Sequence, residues 1–154
     1  MKKTAKLSNC RTYRYELWRV WDESKPYVVF IGLNPSTADE TNDDPTIRRC
    51  INFATSWGFG GLCMANLFAY RATKPENMKK SPNPIGDKNN ETLLLLAQHA
   101  GLIIGAWGNH GTFLNRSNEI RSLLPELRAL KINKSGEPAH PLYLKSTLNP
   151  IKLK

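Results

Sequence analysis

Tyr27-Val28-Val29-Phe30-Ile31-Gly32-Leu33, followed at once by Asn34-Pro35-Ser36, is the stretch that decides the fold. An unbroken run of apolar β-formers, without polar alternation, belongs to a strand covered on both faces, as in a parallel sheet. Asn-Pro-Ser ends it abruptly. Downstream, a polar loop over residues 37–43 leads to Asp44, an N-cap followed by Pro45 at the first helical position. Ile47, Cys50, Ile51, Ala54 and Trp57 then keep helical spacing, and Gly58 stops the helix. A second buried strand is expected over Leu62 to Leu67, and a third over Leu102 to Trp107. Between them, Arg71 to Gly86 reads as a surface loop, and Asp87 as the cap of a helix running to Ala100. Past a tight turn at Gly108 to Gly111, Phe113 to Leu124 is expected to be helical, and Leu127 to Ile132 to form a weaker fourth strand. Upstream, Cys10 to Trp21 reads as extended.

Strands alternating with helices build an open parallel sheet through right-handed crossovers, with helices on both faces. The expected class is α/β, a three-layer αβα sandwich on a four-stranded, mostly parallel sheet with an N-terminal strand or hairpin. One domain spans residues 1–154, with 1–10 and 146–154 as candidate flexible ends. Ligands of such sheets bind beyond the carboxyl ends of the strands. The polar interruptions fall there: Asn34 after the first strand, Asn66 closing the second, Gly108 to His110 after the third, and His140 near the fourth.

Composition narrows the class. The chain of 154 residues, 40% of them hydrophobic, suits one core. Lys and Arg number 22 against 13 Asp and Glu, a formal charge of +9. That excess favours an anionic partner such as a nucleic-acid backbone; a merely basic protein is the plain alternative. Cys10, Cys50 and Cys63 lack CxxC spacing and cannot alone complete a four-cysteine zinc or iron–sulfur site. No metal and no cofactor is expected. No apolar stretch approaches the roughly 18 residues of a membrane span, and residues 1–14 lack the apolar segment of a signal peptide. A cytoplasmic monomer without a membrane partner is the expectation.

Several residues could carry chemistry. Pro35 restricts Asn34 to extended conformations, so its amide leaves the strand in a defined direction; a plain Asn-Pro-Ser turn is the alternative. Asn66 sits in an otherwise apolar run, where an unpartnered amide costs about 1–3 kcal/mol. It is either bonded to nearby backbone or offered to a ligand. His140 could supply a hydrogen bond or a proton near neutral pH. His110, among glycines, suggests an anion-cradling turn. The acidic loop of Asp39, Glu40, Asp43 and Asp44 could hold a metal, although solvated carboxylates with Asp44 as a cap are commoner. Arg48, Arg49, Arg71 and Lys145 could meet phosphates.

Together these segments resemble the uracil-DNA glycosylase superfamily. More closely, residues 15–144 resemble a bacterial and phage family of unknown function marked by LNPSTAD (33–39), DDPTIRR (43–49), NLFAYRAT (66–73), AWGNHG (106–111) and HPLYL (140–144). The wider resemblance implies that Asn34, in Gly32-Leu-Asn-Pro35-Ser36, positions water and that Asn66 reads an extruded base. It also implies that His140 stabilises the departing base, with Phe68, Trp107, Gly108 and His110 nearby and Tyr143 entering a minor groove. Departures from the superfamily are the inserted Lys134 to Ala139, which could move His140 away, and Asp39, awkward near DNA unless catalytic.

The function expected is therefore hydrolysis of a base–sugar bond at a damaged or modified base in nucleic acid. The alternatives are a non-catalytic nucleic-acid-binding module and an enzyme acting on free nucleosides or nucleotides.

Overall fold

The structure, a computed structural model, describes Met1–Leu153. The run at residues 27–32 forms strand β3 (Tyr27–Gly32), preceded in the chain by β1 (Lys2–Leu7) and β2 (Arg14–Val20). Its side chains alternate between two apolar clusters. Val28 and Phe30 pack with Ile47, Cys50 and Phe53 of α1 (Pro45–Ser56). Val29 and Ile31 pack with Leu93 and Leu96 of α3 (Asn89–His99) and Ile120 of α4 (Arg116–Leu123). Burial on both sides is why the run carries no polar alternation.

Helix α1 begins as expected: the Asp44 carboxylate accepts from the Ile47 N–H at 2.8 Å, Pro45 follows, and Gly58 ends the helix at φ +85°. β4 (Gly61–Asn66) is buried throughout, and β5 (Leu102–Gly105) and β6 (Arg128–Ala129) follow. Cys50 and Cys63 are free thiols in the core, pushed up in pKa by burial.

The sheet has seven strands in the order β1-β2-β4-β3-β5-β6-β7, where the sequence led us to expect four. The pairs β4–β3, β3–β5 and β5–β6 are parallel; β1–β2, β2–β4 and β6–β7 are antiparallel. Segments near both chain ends join the sheet. Residues 2–7 pair along β2, and β7 (Ile151–Lys152) covers the edge of the two-residue β6. Backbone pairing of this kind covers sheet edges and leaves little mark on composition.

Other boundaries shift. The expected loop at 71–86 contains a short helix, α2 (Pro75–Lys79), formed because Pro75 takes the first turn and Met78 turns into the core. Asp87 does not cap α3; it accepts from Asn83 Nδ2 at 2.8 Å. The third strand stops at Gly105, and a 3₁₀ segment (Asn109–Asn115) replaces the first turn of the helix expected from Phe113, because Leu114 and Asn115 adopt positive φ.

This topology locates the site. β4 lies on one side of β3 and β5 on the other, so the crossovers diverge at β3 and open a crevice beyond the strand ends. β2 runs against β4 and therefore delivers its first residue, Arg14, to the same edge.

Candidate functional site

A cleft of about 530 Å³ opens at that edge. Gly32, Asn34, Pro35, Ser36, Asn66, Trp107, Gly108, His110 and His140 all line it, although they come from four separate motifs. Hydrogen bonds between the loops explain the convergence. Leu67 and Phe68 N–H groups donate to Gly32 and Leu33 carbonyls at 2.9 and 3.0 Å, and Ala72 N–H donates to Pro35 O at 3.0 Å.

The half-buried Asn34 donates through Nδ2 to Ala72 O at 2.8 Å and to Pro35 O at 3.2 Å. Those bonds settle the amide: its NH2 group faces backbone, and Oδ1 takes no hydrogen bond among the described residues. An acceptor is thus held ready for water or a ligand hydroxyl.

Asn66 is 3% exposed, and its Oδ1 accepts from Arg14 Nη2 at 3.4 Å. Its Nδ2 stands beside Gly32, where even a Cβ would approach it to 3.0 Å. Glycine at position 32 therefore leaves the amide its space. The Asn66 backbone is strapped from behind, with Asn89 Nδ2 donating to the carbonyls of Asn66 and Leu67 at 2.9 Å each. Arg116 Nε adds a bond to Leu67 O at 2.8 Å.

His140 reaches the cleft despite the inserted residues. The insertion closes on itself, with Asn133 N–H donating to Glu137 O and Ala139 N–H to Lys131 O, at 2.9 and 2.8 Å. It is also stapled to the AWGNHG motif. Trp107 Nε1 donates to Glu137 Oε1 at 2.8 Å, Gly108 N–H to Pro138 O at 2.9 Å, and Ser135 Oγ to Asn109 Oδ1 at 2.7 Å. The Leu142 N–H donates to His140 Nδ1 at 3.2 Å, so the neutral ring carries its proton on Nε2.

Although the His140 ring opens to solvent, the crowded cleft lowers its pKa from the ordinary 6.5, with Asp44 partly opposing the shift. The unfolded chain therefore takes up this proton first as pH falls. Stability linked to His140 is present above about pH 6.5 and is lost as pH falls towards the depressed value. Exchanging His140 for Gln should flatten the decline in urea midpoint between pH 7 and 5; an unchanged decline would place its cause elsewhere.

The one buried cation of the cleft lining among the described residues escaped the sequence reading. Arg14 is 3% exposed, donates to Ala38 O at 3.0 Å as well as to Asn66, and keeps Nε buried without a partner. Burial lowers its pKa to about 10, with Asp44 opposing, so it stays cationic at neutral pH. Asp44, read as a cap and as one carboxylate of the acidic loop, also lines the cleft. The aromatic and charged alternation of β2 looks like an exposed face in sequence; only its place between β1 and β4 buries Arg14.

Other expected site residues lie elsewhere. Phe68 is fully buried and packs on Phe113, ring centroids 5.5 Å apart. Tyr143 is 94% exposed and outside the cleft. Arg48 and Lys145 are exposed beyond it, Arg49 lies over the Phe53 ring at 5.3 Å, and Arg71 donates to Arg11 O at 3.3 Å. Asp39 is occupied in its own turn, accepting from the N–H groups of Thr41 and Asn42, which hold its carboxyl well below the usual range. Glu40 pairs with Arg11 at 2.8 Å, and Asp43 with the fully buried Arg19 at 2.7 Å. The acidic loop is thus tied down. Among the described residues no group of three or more His, Cys, Asp or Glu is placed to hold a metal ion. No helix among them is long and apolar enough to cross a membrane.

No curated protein and no solved structure matches the chain. A family match spans residues 14–142, from the buried Arg14 to just past His140, and so takes in the whole lining of the cleft. The chain belongs to the DUF1643 family, described as proteins of unknown function.

Proposed function

We propose that the chain hydrolyses the N-glycosidic bond between a nucleobase and its sugar. The observation that carries this reading is the meeting of Asn34, Asn66 and His140 in one cleft with Asp44. The open Oδ1 of Asn34 accepts from the attacking water, and the Asp44 carboxylate takes the proton that water gives up. The water oxygen bonds to the anomeric carbon as the carbon–nitrogen bond breaks, and the bonding pair leaves with the base. Nε2–H of His140 donates to that anion, a fixed dipole aimed at charge formed only as the bond breaks. Asn66 reads the edge of the extruded base. The parallel pairing of β4, β3, β5 and β6, with apolar clusters on both faces, is compatible with the uracil-DNA glycosylase resemblance.

A second reading is favoured by one observation: Arg48, Arg49, Arg71 and Lys145 do not line the cleft. A volume of about 530 Å³ suits a small ligand, so a free nucleoside could be the substrate. The test is base release from oligonucleotides carrying uracil, hypoxanthine, xanthine or modified pyrimidines, followed by alkaline strand cleavage, with the free nucleosides run in parallel. Release from one oligonucleotide, abolished by Asn34→Ala, supports the first reading. Release only from nucleosides supports the second. Salt-dependent retention of oligonucleotides with no release from either would leave a binding module.

A further inference from the structure

Arg71 misses the cleft, yet it lines a shallow shelf that opens from the cleft's rim. The shelf, of about 450 Å³, shares Ser36, Ala72 and Thr73 with the cleft, so the two form one continuous depression. Arg11, Thr12 and Thr37 join Arg71 in its polar lining. Three segments remote in sequence are fastened together there. Arg71 N–H donates to Thr12 O at 2.9 Å and Ala72 N–H to Pro35 O at 3.0 Å, while Tyr13 and Tyr70 form a β-bridge. The shelf is therefore preformed.

Its side chains have bonding capacity to spare. Arg71 is half-buried and donates through Nη1 to Arg11 O at 3.3 Å, with no carboxylate partner among the described residues. The hydroxyls of Ser36, Thr37 and Thr73 make no hydrogen bond among those residues either. Arg11 differs, since Glu40 already holds it at 2.8 Å. A guanidinium fork beside free hydroxyls suits a group with several strong acceptor oxygens. A terminal phosphoryl group offers three, a carboxylate only two.

We infer that the shelf is a phosphate subsite with Arg71 as its binding cation, so that cleft and shelf together take a free nucleotide bearing a terminal phosphate. This inference rests on the reading of the cleft as a base–sugar site and narrows its substrate class. Two observations favour a free nucleotide over a strand. Arg48, Arg49 and Lys145 line neither cleft nor shelf, so no basic track carries neighbouring phosphates. Past Thr37 the chain turns to Asp39 and Glu40, and the Glu40 carboxylate stands against Arg11 at the shelf, where it repels a further phosphate.

The test is isothermal titration calorimetry of the full-length protein. The probes are deoxyuridine, deoxyinosine, deoxycytidine and deoxyadenosine, the 3′- and 5′-monophosphates of each, and the matching dinucleoside monophosphates. At least one monophosphate should bind about tenfold or more tighter than its nucleoside and its dinucleoside monophosphate. In Arg71→Gln the advantage over the nucleoside should fall to within about threefold, with nucleoside affinity unchanged. Should Arg71→Gln unfold, Arg71→Lys keeps the charge without the fork and should lose part of that advantage. Equal binding of nucleosides and monophosphates, an advantage untouched by either substitution, or a dinucleoside monophosphate bound as tightly as the monophosphate would each overturn the inference. So would the binding of no nucleotide at all. Phosphate-dependent binding without base release from any substrate would instead overturn the hydrolase reading and leave the subsite standing. Base release confined to nucleosides or oligonucleotides would do the reverse.

Discussion

If the cleft releases bases as proposed, changing Asp44 to Asn should lower that release by about 10²- to 10⁴-fold, the usual weight of a general base, with little change in stability. The two effects separate because the observed cap and the proposed base make different chemical demands of Asp44. Its capping oxygen accepts from Ile47 N–H at 2.8 Å, and asparagine caps a helix as well as aspartate does. Only the proton-accepting role is lost. Asp44→Ala would blur the result by removing the cap as well, at a cost of about 1 kcal/mol. A parallel His140→Ala variant should lose about 10²- to 10³-fold, the scale of one missing hydrogen-bond donor to a developing anion. The measurement is single-turnover release from whichever substrate the wild type cleaves, beside a urea titration of each variant. Full activity in Asp44→Asn would leave Asp44 a cap alone.

Arg19→Met should cost about 3–5 kcal/mol of unfolding free energy, the range for stranding one partner of a buried ion pair. Arg19 is wholly buried, with Nε on Asp43 Oδ1 at 2.7 Å and Nη2 on the carbonyls of Asp39 and Asn42 at 2.6 and 3.2 Å. Its remaining nitrogen donates to Trp18 O at 2.8 Å. One side chain therefore holds residues 39–43, the loop that delivers Asp44. Losing it leaves Asp43 with the part-exposed Lys3 at 3.2 Å. Arg19→Lys keeps the charge but not the fork, and should fall between wild type and Arg19→Met. Urea unfolding followed by circular dichroism is the measurement. A loss below about 1 kcal/mol for Arg19→Met, the scale of an exposed pair, would mean the loop is anchored without it.

Legibility divided along physical lines. Helix α1 was readable from Asp44, Pro45 and the spacing of Ile47, Cys50 and Ala54, because capping and periodicity are local. Asn34 and Asn66 were readable as candidates because each interrupts or closes an apolar run at a strand end, and His140 because it stands in a recognisable His-Pro motif; all three line the cleft. Arg14 and Arg19 were not. A charged residue in an alternating strand reads as solvent-facing until the neighbours of that strand are known. That Phe68 and Tyr143 lie outside the cleft was not readable for a related reason: adjacency to a motif says nothing about whether a side chain faces the cleft or away from it. Asp39 was an acid whose backbone partners, Thr41 and Asn42, lay too near in sequence to look like partners.

By itself, the sequence determined the alternation of buried strands and helices and the edge at which the polar motifs gather, since hydrophobic period and turn chemistry act over a few residues. Tertiary structure alone decided the seven-stranded width of the sheet, the burial of Arg14 against Asn66, and the return of His140 to the cleft. These depend on strand pairing and on the stapling of the 133–139 turn to Trp107, Gly108 and Asn109. Such hydrogen bonds join residues far apart in the chain, so no local pattern announces them.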